Sequence, residues 1–157
     1  MHEIMKLIPE EFLLNEPTPE ESLENIETKL NIKLPSDYIL FLKEANGGEG
    51  FIGENYLILW KAEELGPYNH DYQVAEYAPG IFLFGSNGGG EAFGFDTRTH
   101  PYKIVQLPFV GMELKYAHCI ADSFYELLDK MGSLDESLFW TKTERKKSLA
   151  RKGDFWH

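Results

Sequence analysis

Glu49, Glu54, Asp71, Glu76 and Glu91 fall in or beside the connections between apolar segments, interleaved with Tyr56, Tyr68, Tyr72 and Tyr77. Carboxylates accept charge-assisted hydrogen bonds from lysine and arginine, and tyrosines add amphipathic contact surface, so the set has the chemistry of a face that binds a basic protein. Any one of these carboxylates, taken alone, is more simply part of a solvated surface. Asn87 joins the set because, like Glu91, it stands at the glycine run Gly85-Ser-Asn-Gly-Gly-Gly90. The candidate partner-binding residues are therefore Glu49, Glu54, Tyr56, Asp71, Glu76, Asn87 and Glu91.

Other chemistries fit the residues less well. The glycine run could cradle a phosphate, but a phosphate loop needs a Lys-Ser/Thr pair and a following helix, and here Glu91 and a strand-like segment follow. It reads as a turn that needs positive φ or a close backbone approach. The five histidines, at 2, 70, 100, 118 and 157, show none of the close pairing of a zinc motif. Ser86, Asp96 and His100 are the residue types of a hydrolytic triad, yet Ser86 lacks a nucleophile-elbow context. No catalytic, cofactor-binding or metal-binding residue is assigned, and a non-enzymatic binding protein is expected.

Composition bounds the partner. The 157 residues suit one domain able to bury a core without covalent help, and the single cysteine, Cys119, fits a reducing compartment, where a buried small hydrophobe is expected. The N-terminal residues carry no basic-then-apolar leader and no segment approaches the length of a membrane span, so a cytoplasmic location is expected. Net charge is −11, with 24 acidic against 9 basic side chains over residues 1–140 and 2 against 6 over residues 141–157. An anionic body repels nucleic-acid phosphates and anionic lipid and steers basic proteins toward it; it also simply keeps a protein soluble. Neither nucleic acid nor membrane is expected as a partner, and the oligomeric state is left open.

The elements that must position these residues follow from patterning. Residues 1–17 read as an N-terminal arm, 18–132 as the domain and 133–157 as a basic C-terminal tail. Thr18-Pro19-Glu20-Glu21 predicts a capped helix to about Leu30, with Leu23, Ile26 and Leu30 on one face. A second helix starts at Pro35-Ser36-Asp37, turns Tyr38, Phe41, Leu42 and Ala45 inward and stops at Asn46-Gly47-Gly48. Strands are predicted at Phe51-Ile52, Tyr56–Trp60, Ile81–Phe84, Ala92–Phe95 and Ile104–Leu107. Lys61–Gly66 suggests a single helical turn, Pro67–Pro79 a partly helical surface connection, and Ala121–Lys130 a closing helix with Ser123 and Glu126 at capping-box spacing. Tyr38, Phe41, Trp60, Phe82, Phe84, Phe93, Phe95 and Phe124 are the expected core aromatics. Helices first, strands in the middle and a helix last argue for an α+β single domain with a central, largely antiparallel sheet.

The order of landmarks Ile26-Glu-Thr-Lys-Leu30, Leu34-Pro-Ser-Asp-Tyr38, Phe41-Leu42 leading to Asn46-Gly47-Gly48, the Ile81-to-Asp96 glycine hairpin and Ile120-Ala-Asp-Ser-Phe124 resembles the SUKH superfamily. The resemblance spans about residues 20 to 130 and is closest to the branch of the fungal Smi/Knr cell-wall-assembly regulators and bacterial toxin-immunity proteins. It implies an α+β fold with packed N-terminal helices and a C-terminal helix, and binding without catalysis. It implies an immunity protein that neutralises a cognate polymorphic toxin domain, often a nuclease, with a regulatory scaffold as the alternative. Carboxylates that mimic phosphate charge would suit the first role.

Overall fold

Seven strands, β1 (Leu13–Leu14), β2 (Gly48–Ile52), β3 (Asn55–Leu59), β4 (Ile81–Ser86), β5 (Glu91–Asp96), β6 (Lys103–Pro108) and β7 (His118–Ala121), each pair antiparallel with their neighbour in sequence. The computed structural model describes residues 3–133; the basic C-terminal tail assigned from the sequence, 133–157, lies outside them apart from Ser133. Six helices accompany the sheet: α1 (Glu20–Glu24), α2 (Ile26–Leu30), α3 (Ser36–Glu44), α4 (Ala62–Asp71), α5 (Val74–Tyr77) and α6 (Phe124–Gly132). The architecture is the expected α+β domain.

Strand alternation sorts the core onto two faces. Leu59 is in register with Gly85 and Gly85 with Phe93, so Leu57, Leu59, Phe93 and Phe95 share one face. On that face Tyr38 of α3 meets Phe95 and Phe124 edge-on, both at 5.1 Å, and Phe84 lies 4.5 Å from Phe95. Ile58 and Trp60 point the other way, where Trp60 meets Tyr68 of α4 at 4.9 Å and Phe109 at 6.4 Å. Helices α3 and α6 thus cover the first face, while α4 and α5 pack over β4 on the second. All the expected core aromatics are buried except Phe82, which is half-buried.

Four polar side chains explain the landmark motifs. Asp37 joins two helix starts: one carboxylate oxygen accepts from the Tyr38 N–H (2.8 Å) and the other from the Tyr125 N–H in the first turn of α6 (2.9 Å). Ser123 Oγ accepts from the Glu126 N–H (3.0 Å) and Glu126 Oε1 from the Asp122 N–H (2.8 Å), completing that cap. Asn46 serves α4 from a distance, its Oδ1 accepting from the Ala62 N–H (2.7 Å) and its amide donating to Glu63 (2.9 Å). Beside it Gly47 holds φ at 78°, and any Cβ there would overlap the Leu59 and Trp60 carbonyl oxygens.

Asn69 of α4 stands in for a strand. Strands β3 and β4 are in register at Ile58–Ser86 and Leu59–Gly85, the Trp60 N–H just beyond β3 donates to the Phe84 carbonyl (3.0 Å), and the next groups along β4, the Leu83 N–H and C=O, are bonded by Asn69 Oδ1 (2.8 Å) and Nδ2 (2.9 Å). Nδ2 also donates to the Leu65 carbonyl (2.8 Å). Asn69→Leu leaves these backbone groups unsatisfied, and urea unfolding is expected to show a loss of about 2–3 kcal/mol with an unchanged m-value.

The structure departs from expectation in five places. The predicted Thr18–Leu30 helix is two helices broken at Asn25, and Thr18 does not cap it: Pro19 holds the N-cap position, and Thr18 is buried with its N–H bonded to Leu42. Helix α4 runs through Pro67, because Asn46 at its start and Asn69 beyond the proline secure it against one lost backbone bond. Strand β7 (His118–Ala121) was not expected and takes in Ala121, the first residue assigned to the closing helix, which instead starts at Phe124. Leu13–Leu14 of the N-terminal arm forms an edge strand on β2. Cys119 is exposed on the other edge strand rather than buried.

Candidate functional site

Among the described residues, the second face of the sheet is covered by α4 and α5 but left open over β1, β2 and β3. Residues directly opposite on antiparallel strands project from the same face. Leu13 is opposite Glu49, Glu49 opposite Ile58, and Phe51 opposite Tyr56. Leu13 is 72% exposed and Phe51 55%, Glu49 is exposed, and Tyr56 and Ile58 are half-buried. The alternate residues Gly48, Gly50 and Ile52 face the core side, and Ile52 is buried there.

This open face is internally organised. The Tyr56 hydroxyl donates to Glu49 Oε2, and the Tyr56 and Phe51 rings meet edge-on at 4.9 Å. Partial burial and the Glu49 carboxylate push the Tyr56 hydroxyl up to about 12, so it stays a donor throughout the ordinary pH range. Among the described residues no lysine, arginine or histidine forms an ion pair with Glu49. The result is an oriented carboxylate among apolar groups: Leu13 and Ile58 across the strands, Phe51 and Tyr56 alongside.

The other sequence-selected residues lie elsewhere. Glu54 is in the β2–β3 turn, Asp71 ends α4 and Glu76 lies on α5, all three exposed. Asn87 is occupied within the glycine turn, its Oδ1 accepting from the Gly89 N–H (2.8 Å) and the Glu91 N–H (3.1 Å). Gly88 and Gly90 hold φ at 71° and 97°, the positive values that the turn demands. Glu91 is half-buried beside Gln106, whose Nε2 approaches Oε1 at 3.5 Å. Of the seven, the structure brings two pairs into direct contact: Asn87 with Glu91 across the glycine turn, and Glu49 with Tyr56 through their side chains.

Burial pushes the Glu91 carboxyl up to about 7, from an ordinary value near 4.5, against a smaller lowering by Gln106. The folded protein therefore binds this proton more tightly than the unfolded chain. The resulting stability is full below pH about 4.5 and lost as pH rises through about 7. Glu91→Gln is expected to raise stability at pH 8 by about 1–2 kcal/mol, after allowance for solvent on its open side, and to flatten that part of the pH profile measured by thermal unfolding.

The residues with hydrolytic potential are engaged differently. Asp96 binds Arg98 through both carboxylate oxygens (2.9 and 3.0 Å), which holds its carboxyl below the usual range. Ser86 Oγ accepts from the Gly88 N–H (3.3 Å), and the exposed His100 ring lies 5.9 Å from that of Tyr102. Among the described residues no three His, Cys, Asp or Glu side chains are grouped to hold a metal ion, and no helix is long and apolar enough to cross a membrane.

Leu13 and Phe51 were not selected from the sequence. The signal for Phe51 was present: it alternates with Gly50 and Ile52 and is two residues from Glu49, which places it on the same strand face. Leu13 carries no such signal, since a two-residue edge strand has no period. Residues 17–130, more than half of the chain, match the family model described as SMI1 / KNR4 family (SUKH-1). No curated protein matches the sequence.

Proposed function

The chain belongs to the SMI1 / KNR4 family (SUKH-1), and on that premise we propose that it is a non-catalytic immunity protein that binds and neutralises a cognate toxin domain. The observation that carries this reading is the open face of β1–β3, where a carboxylate is oriented by a tyrosine among exposed apolar groups. A face with both charge and desolvatable surface supports specific protein binding better than a merely solvated acidic surface. The mechanism is occlusion: the acidic body draws a basic partner in, and contact at this face blocks its active site or substrate approach. Association accelerated by charge is weakened by salt.

The test is capture of the full chain's partner from its native cell, followed by expression of that partner with and without this chain. A partner that is toxic alone and harmless when co-expressed supports immunity. A partner that is harmless alone overturns that reading in favour of a regulatory scaffold.

A further inference from the structure

We propose that the Glu49–Phe51–Tyr56 cluster is a receptor for an arginine side chain presented by the partner protein. The assignment rests on the binding reading above and adds the chemistry that the open face selects.

Charge complementarity gives the first reason. Glu49 is an exposed carboxylate on a strongly acidic body, and among the described residues no cation of the chain pairs with it. Its surroundings give the second. Leu13 and Ile58 flank it across the sheet, Phe51 is 55% exposed one residue pair away, and the Tyr56 hydroxyl already fixes one carboxylate oxygen. A partner cation at Glu49 must therefore lie against apolar and aromatic surface.

Lysine and arginine differ at such a place. An ammonium is compact and strongly hydrated, so apolar neighbours hinder its solvation without offering it a matching shape. A guanidinium is planar and more weakly hydrated; it can hydrogen-bond a carboxylate edge-on while its face lies on an aromatic ring. The arrangement of Glu49 beside Phe51 and Tyr56 offers both contacts at once. Fixing the carboxylate through Tyr56 also reduces the ordering cost of binding.

The experiment titrates the full chain with hexa-arginine and, separately, hexa-lysine peptides, which carry equal charge, and follows backbone amide resonances. Hexa-arginine is expected to bind about fivefold more tightly, as an exposed cation–aromatic contact provides, and to perturb Glu49, Phe51 and Tyr56. Phe51→Ala should erase the preference while leaving hexa-lysine binding unchanged, and Glu49→Gln should weaken hexa-arginine binding. Equal affinities, or binding insensitive to both substitutions, overturn the assignment. Perturbation of this face that grows with protein concentration assigns it to a second copy instead. A free chain that becomes able to bind hexa-arginine only after Arg145→Gln and Arg151→Gln assigns it to the chain's own arginines. Either result also overturns the proposal. These outcomes are separable from the capture experiment: a toxin neutralised through this face without arginine preference leaves the immunity reading standing, whereas a harmless captured partner removes that reading and leaves the peptide result untouched.

Discussion

Phe95→Ala is expected to destabilise the protein by about 3–5 kcal/mol, the range for removing a fully buried phenylalanine. Phe95 is at 0% exposure and touches Phe84 at 4.5 Å, Tyr38 at 5.1 Å and Tyr102 at 6.1 Å. Those partners belong to β4, α3 and the approach to β6, so the cavity left by truncation opens where three parts of the chain meet. Tyr38 and Phe84 are themselves held against Phe124 of α6, which limits how far the walls can collapse. Phe95→Leu retains more volume and should cost clearly less. Urea unfolding of the two variants checks the ordering; equal small losses would mean that the aromatic cluster repacks freely.

That cluster was legible from the sequence because its members sit at helical or alternating spacing on strongly patterned segments. Tyr38 and Phe41 follow the start signal Pro35-Ser36-Asp37, and Phe93 and Phe95 alternate with small residues after a glycine turn. The elements that were missed lack such patterning. Strand β1 has two residues, and β7 is an edge strand whose first two residues are exposed, so neither shows the alternation of a half-buried strand. Helix α4 was cut short at Pro67 because proline is a strong local signal, while the opposing support from Asn46 and Asn69 is tertiary. The same limit applies to the candidate site. Tyr56 and Glu49 are seven residues apart and meet only because the β2–β3 register places them diagonally on one face. Asn87 and Glu91 stand out in the sequence as turn residues, and in the structure the Asn87 carboxamide oxygen is engaged by the turn itself while Glu91 is drawn into partial burial.

The largest functional effect is expected from reversing the charge at Glu49. Glu49→Lys should weaken binding of the captured partner by about 100-fold, close to 3 kcal/mol, chiefly through faster dissociation. The reason is the position of this carboxylate among Leu13, Ile58, Phe51 and Tyr56: contact there removes water from the pair, and a lysine in its place leaves like charges facing one another in a dry interface. The fold should be little affected, because Glu49 is exposed and loses only its bond from Tyr56. Reversal at Asp71 and Glu76 together is expected to act differently. Both are exposed on or at the end of helices that already cover the sheet, so their charges contribute to long-range attraction. Their loss should slow association a few-fold and reduce its salt dependence, with dissociation nearly unchanged. Surface-plasmon kinetics at two salt concentrations separates the two outcomes. If Glu49→Lys alters only association while the Asp71 and Glu76 reversals accelerate dissociation, the contact surface lies over α4 and α5, and the open face of β1–β3 is not the one the partner covers.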